Sequence, residues 1–464
     1  VALMAGTRVI QAIGPSYTLS DRKSAVQRAV NLFLTQIEGV GEDRPLILRS
    51  APGMVQFEDM GDTIRGMYNA DGRWFIVAGE TLYEIVGSAP VVRGAVGGST
   101  FVSMRHGTNQ LVVVTGANGY VLNLTTNVFG TILSEGWRGS NDVDHIDGYF
   151  VFVAPGTEQF YISAIDDASS LDALDFSSAD TQPDNIVVQR VFKRELYLFG
   201  TRSTEVWINS GSPDFPLSRY NSTPIQVGIV GRRAQCIAAD TLVFVGQTDR
   251  GHGYVYQMRG YQPVKVSTQA VEEDLNAAGV DLGQCSLWTY HVEGNEFVGI
   301  EAPGLETTWV WDASTQQWHE RAKWAAGAWQ ALDISAVTFY SGAHYAAKGS
   351  KVFTLDQSAA TIDGENMVRE RTWPHLISPS MEPTLFRGLE LLCTTGYGGN
   401  VTLEISNDGG YRWGAPLIRS LGVTGRFAER IRWLGLGAAN DRVFRVRCSD
   451  AVPFSIYAAT LDAA

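Results

Sequence analysis

The stretch IRGMYNADGRWFIVAGETLYEI, residues 64–85, reads as three short strands separated by two turns. Ile64 to Tyr68 is an apolar strand, and Asn69 to Gly72 supplies residues that tolerate the left-handed backbone of a tight hairpin. Trp74 opens a second apolar strand, WFIVAG, whose glycine breaks it from LYEI at Leu82. The same pattern returns seven times between Ile64 and Asp356. Its second strand starts at Trp74, Leu111, Tyr149, Leu196, Leu242, Phe297 and Val337, at intervals of 37, 38, 47, 46, 55 and 40 residues. A third, aromatic-rich strand follows each, as in YVLNL at Tyr120, EVWIN at Glu205, TWVWD at Thr308 and KVFTL at Lys351. A unit of about 40 to 45 residues is the size of a four-stranded propeller blade, so the expectation is an all-β chain built on a β-propeller of six or seven blades. An elongated stack of sheets or two ordinary β-sandwiches would also place strands at regular spacing.

The repeat leaves three regions outside it. Residues 1–60 form an N-terminal segment expected to pack partly on the propeller, with a polar, helical stretch from Asp21 to Val30. Residues 61–364 hold the propeller and its inter-blade insertions, SSLDALDFSSADTQPDN from Ser169 and SPDFPLSRYNSTPIQVG from Ser212, long enough to be contact surfaces. A short polar helix is expected at Thr268 to Ala278. Residues 365–464 change to alternating strands at Leu389, Val401, Ile431, Val443 and Phe454, the pattern of a separate C-terminal β-sandwich.

At 464 residues and 45% apolar content, the chain can bury more than one core. Its apolar runs are too short to cross a bilayer as helices, and the N-terminus lacks the basic start and long apolar stretch of a signal peptide. Cys236, Cys285, Cys393 and Cys448 lie far apart, three of them inside apolar strands, and read as buried free thiols. From residue 365 onward there are 11 Arg, no Lys and 10 Asp or Glu, a net of +1, which leaves −14 of the whole-chain −13 on residues 1–364. An acidic body of that kind does not hold nucleic acid by phosphate neutralisation, though it could line a passage through which DNA slides without sticking.

No phosphate-cradling loop and no nucleophile elbow occurs, and the seven histidines are scattered without metal-ligand spacing. No catalytic residue, metal or cofactor is expected. Two signals invite an enzymatic reading. Ser406-Asn407-Asp408-Gly409-Gly410-Tyr411-Arg412-Trp413 fits S-x-D-x-G-x-x-W and resembles the Asp-box of sialidases, a hairpin-stabilising turn. Asp142, Asp144 and Asp147 around His145 could do acid–base work or bind a cation, but an Asp-rich turn between strands is the cheaper explanation. The tryptophans Trp207, Trp288, Trp309, Trp311, Trp318 and Trp324 are expected to fill the wedges between blades rather than form stacking platforms.

Several segments, in order, resemble the tail hub or nozzle family of short-tailed bacteriophages, the packaged-DNA stabilisation proteins. They are GPSY at Gly14, QRAVNLF at Gln27, LRSAPGM at Leu48, QPDNI at Gln182, LFGTRSTEVWINSGSPDFPLSRY at Leu198 and FVGQTDRGHGYVYQMRGYQPVKVSTQAVE at Phe244. The chain departs from the family at Phe33-Leu34-Thr35 and resembles it only weakly in its last third. The resemblance implies a virion protein without catalysis: a ring, typically a hexamer, below the portal and its head-to-tail adaptor. Such a ring extends the DNA channel, contacts tail fibres or tailspikes and the needle or plug, retains packaged DNA and takes part in ejection. Assembly would take place in the host cytoplasm. The insertion loop around Asp214, Phe215, Arg219 and Tyr220 is the candidate subunit interface. The rival class is a glycan-binding or glycan-hydrolysing propeller of sialidase-like type.

Overall fold

The computed structural model describes residues 6–37, 46–220, 224–378 and 382–463. The first five residues of the stretch read for a signal peptide, and residues 221–223 of the second insertion, lie outside them.

Among the described residues seven sheets form the blades. Their inner strands are Ile64–Ala70, Ser103–His106, Val143–Ile146, Ile186–Phe192, Gln235–Ala238, Ser286–Val292 and Ala336–Tyr340. The last of these lies beside the first. Apolar cores fill the wedges in sequence: one shared by the first and second blades around Phe75 and Leu111, then one around Val112 and Phe152, one around Phe160 and Trp207, and a larger one from Phe199 to Trp311. Tyr290 and Phe353 sit in the next, and Trp74 and Val352 close the ring. Packing between sheets is therefore the main term that holds blade to blade, through the burial of these side chains.

The hairpins form where the sequence places them. Asp71 and Gly72 take φ of 47° and 85°, and Glu293 and Gly294 take 50° and 84°, the paired positive φ of a type I′ turn. The 55-residue interval is explained by the helix Gln269–Leu275 and a 3₁₀ turn at Leu282–Gln284, inserted between the fifth and sixth blades.

Three expectations are corrected. The segment Asp21 to Val30 is not helical: it is a turn followed by the strand Val26–Val30, whose Val26, Ala29 and Val30 are buried. Val337 does not start a second strand. It lies in the inner strand of the seventh blade, and the second strand is Ala343–Lys348. There the buried residues are the small Ala346 and Ala347, while the conspicuous Phe339 is 54% exposed, so the hydrophobic run misdirects the register. The two insertions are not only loops: they contain the fourth strands of their blades, Phe176–Ser178 and Leu217–Arg219.

The ring is closed by residues from its opposite end. Gly53–Asp59 pairs antiparallel with Lys351–Asp356 as the outer strand of the seventh blade. A Cβ on Gly53 would lie 2.6 Å from the carbonyl oxygens of Ala359 and Thr361, so glycine is required by the close approach. Phe57 then reaches across to Trp74 of the first blade, ring centroids 5.7 Å apart.

The other described strands of the N-terminal segment mostly join the sandwich. Gly6–Ile10, Leu32–Gln36 and Leu46–Ser50 lie in one sheet with Ser455–Ala463, Thr384–Cys393 and Ile431–Leu434. Val26–Val30 lies in the other, beside Arg369–Thr372, Asp441–Cys448 and Asn400–Ser406. The core between them contains Leu34, Leu48, Trp373, Phe386, Leu403, Trp433 and Phe444. Val26–Val30 also pairs in parallel with the fourth strand of the sixth blade, Gln317–Arg321, through Val30 and Glu320. Blade and sandwich sheet are thus one continuous sheet.

Candidate functional site

The segments that carry the family resemblance at the N-terminus converge on this junction. In QRAVNLF, Asn31 takes φ of 54° and breaks the chain between the two sandwich sheets. Its buried amide donates to the carbonyls of Ala322 at 2.7 Å and Val368 at 2.8 Å, and its oxygen accepts from the Ala322 N–H. In GPSY, the Ser16 hydroxyl accepts from the Ala29 N–H at 2.7 Å, and the Ser16 N–H donates to the Trp318 carbonyl of the sixth blade. LRSAPGM is the crossover: Leu48 is in the sandwich, Met54 in the propeller, and the Pro52 carbonyl accepts from Arg321.

Charged side chains fill the seam. Arg28 forks onto Glu320, its Nε 3.0 Å from Oε1, and the Thr307 hydroxyl also donates to that carboxylate. Arg447 meets Glu370 at 2.7 Å. Burial acts to raise the Glu370 carboxyl, but Arg28, Arg447 and Arg445 outweigh it and hold it below the usual range. Among the described residues Arg371, fully buried, donates to the carbonyls of Ala12, Pro15 and Arg28, none of them charged, and burial lowers it to about 9.

The central resemblance is also structural in origin. The Asp184 carboxylate of QPDNI accepts from the backbone N–H groups of Thr201, Arg202 and Ser203 at 2.8 to 2.9 Å, shaping the turn of LFGTRST. Burial opposes its ionisation, but the Thr201 hydroxyl and these N–H groups prevail and hold it low. Glu205, buried, accepts from Trp207 Nε1 at 3.0 Å, from Arg219 at 2.9 Å and from the Thr181 N–H.

The candidate interface residues divide. Arg219 is engaged by Glu205 and by Asp180 at 2.6 Å, and Phe215 packs edge-on against Phe160. Asp214 is exposed, and Tyr220 is 46% exposed beside Tyr261.

The carboxylates around His145 do not converge. Asp142 accepts from the Ser103 hydroxyl in the second blade at 2.6 Å and from the Gln189 N–H in the fourth. Asp144 pairs with Arg105 at 2.8 Å and accepts from the Val191 N–H. Asp147 lies in the hairpin turn, with φ of 48°, and binds Arg194 and Asn209. They are staples between inner strands. Among the described residues no three His, Cys, Asp or Glu side chains come together as a metal site. The Asp-box segment is a turn: Asp408 accepts from Ser406 and from the Arg412 N–H, Gly409 and Gly410 have positive φ, and Trp413 lies 3.9 Å beneath Arg445. Trp207, Trp288, Trp309, Trp311 and Trp318 are buried, and Trp324 is half-buried against Trp329. The four cysteines are buried and unpaired.

Sequence reading missed the propeller axis. The inner strands enclose a cavity of about 270 Å³ lined by Arg105, Arg190, Arg232 and Arg233, with Asp142 and Gln235. These arginines are dispersed along 129 residues of sequence, so only blade geometry brings them together.

The fold, with its carboxylates and indoles engaged in holding it, defines a propeller–sandwich structural protein. Family models described as "Bacteriophage P22 Gp10, beta-propeller" and "Bacteriophage P22 Gp10, beta-sandwich" match residues 25–363 and 360–464. The chain therefore belongs to the bacteriophage P22 Gp10 family, the phage tail hub or nozzle proteins, and is a structural component of the virion tail. No curated protein matches it. Among solved structures, the computationally designed Ika8 protein is 12% identical with a TM-score of 0.40, covering 71% of this chain and 97% of its own. The N-terminal domain of Nup159 is 11% identical at 0.40, covering 70% and 99%. The extracellular domain of BT4673 from B. thetaiotaomicron is 11% identical at 0.44, covering 71% of this chain and 40% of its own. Likenesses at this level carry no argument.

Proposed function

We propose that the chain assembles as a homohexameric ring below the portal and its head-to-tail adaptor. There it extends the DNA channel, retains packaged DNA, anchors tail fibres or tailspikes, meets the needle or plug and takes part in genome ejection, without catalysis. Assembly takes place in the host cytoplasm. The observation that supports this most is the seam: one continuous sheet and a buried charged network join propeller and sandwich, so each subunit is a rigid wall piece rather than two bodies on a linker. Charge supports it too, since residues 1–364 carry a net −14 against +1 on the remainder and repel a passing duplex. Asp214 and Tyr220 are the proposed contacts with a neighbouring subunit, positioned from behind by Phe215 and Arg219. A closed ring requires heterologous contacts, different faces of each copy meeting head to tail.

Mass photometry and negative-stain imaging of the protein, alone and with the portal–adaptor complex, test this. Sixfold rings in either condition are the expected result. A monomer that persists with the adaptor overturns it.

A further inference from the structure

The axial cavity holds more positive than negative charge. Of the four arginines that line it, Arg105 alone is paired with a carboxylate, Asp144. Among the described residues Arg190, Arg232 and Arg233 have no carboxylate within 4.0 Å. Arg233 is held in place by the carbonyls of Ser335 at 3.2 Å and Gln284 at 3.3 Å, over the ring of Phe101. The Arg190 Nε is buried without a hydrogen-bond partner, as is the Gln235 Oε1. Asp142, the carboxylate that lines the cavity, has its oxygens engaged by Ser103 and Gln189, and burial raises it to about 6. Half-buried guanidinium groups without counter-charge are costly. A cavity of about 270 Å³ far exceeds the roughly 10 to 15 Å³ that one water needs, and planar guanidinium forks match tetrahedral oxyanions.

We propose that the propeller axis binds a small oxyanion of the phosphate class, held by Arg190, Arg232 and Arg233 and approached along that axis. The ligand acts as a counter-ion that ties the fourth and fifth blades together, and it is independent of the ring proposed above. Its chemistry is shared by free phosphate and by phosphates of nucleic acid. The cavity lies within one subunit, lined by inner strands on every side, which favours the free ion.

Isothermal titration of inorganic phosphate into the full chain, at constant ionic strength balanced with chloride, tests this. One site per chain is expected, with a melting temperature raised by phosphate above that in chloride. Arg232→Gln is expected to weaken binding at least tenfold. Arg232 makes no hydrogen bond or ion pair with the rest of the chain among the described residues, so this variant keeps the fold, as circular dichroism would verify. Arg202→Gln, an exposed arginine near Asp249, is expected to bind as the parent does. No heat and no melting shift beyond chloride, or phosphate binding unchanged in Arg232→Gln, overturns the proposal. Binding of a short DNA duplex in place of phosphate, lost in Arg232→Gln, also overturns it by assigning the arginines to nucleic acid.

Discussion

Arg28, on a strand of the N-terminal segment, and Glu320, at the outer edge of the sixth blade, are 292 residues apart in sequence and joined by a two-pronged ion pair. Glu320 is nearly buried and Arg28 about a quarter exposed, so the pair is shielded from solvent on the propeller side. Their strands meet in parallel only at Val30 and Glu320, and the ion pair braces that single point of contact.

Glu320→Ala leaves Arg28 partly buried without its partner. Removing one member of a buried pair costs about 3 kcal/mol, read as a fall in the denaturation midpoint. Loss of the brace is also expected to split unfolding into two transitions, monitored by the protease protection of propeller and sandwich fragments separately.

Gly53→Ala forces the closing strand away from Ala359 and Thr361. The expected loss is about 1 to 3 kcal/mol, with early proteolysis near residue 60 as the ring opens. A melting temperature equal to the parent's would show that the strand does not close the propeller.

Asp184→Asn weakens the charge-assisted bonds that shape the turn at Thr201 to Ser203, at a cost of about 2 kcal/mol at pH 7. The folded carboxyl lies below its ordinary value, and the unfolded one titrates near 4. Its contribution is therefore complete above about pH 4 and lost as pH falls through the folded value. Parent and variant should converge in acid, which urea titrations at a series of pH values would reveal.

Glu301 behaves in the opposite sense. Buried between the sixth and seventh blades, it accepts from the Thr308 hydroxyl at 2.6 Å and from the Ile334 N–H, and burial raises it to about 7. Folding favours its protonated form, so its contribution is complete below about pH 4.3 and lost as pH rises through about 7. Glu301→Gln removes this slope, and at pH 8 the variant is expected to exceed the parent in stability, by an amount on the order of 3 kcal/mol.

Asp214→Ala and Tyr220→Ala test the proposed contact. Both side chains are exposed, so monomer stability should change by no more than about 0.5 kcal/mol. Ring yield by mass photometry should fall. Unchanged rings would place the contact elsewhere.

The strands themselves were legible because periodicity is local. WFIVAG at Trp74 and LVVVTG at Leu111 announce blade interiors, and Asp71-Gly72 announces its hairpin, from neighbouring residues alone. The seventh blade was misplaced by one strand because Ala346 and Ala347 pack as tightly as larger residues but give little hydrophobic signal. Val26–Val30 looked helical because its inward face is shared between a sandwich core and a charged seam, which blurs alternation.

Composition and repeat thus determined an all-β propeller followed by a sandwich, and the ordered segments from Gly14 to Glu272 determined the family. Tertiary structure alone decided that the described strands before Gly53 belong mainly to the sandwich, that Gly53–Asp59 closes the ring, and that Arg190, Arg232 and Arg233 share one cavity. The reason is physical. A strand's existence depends on its own side chains, whereas its partner is chosen by hydrogen bonds and burial supplied from hundreds of residues away.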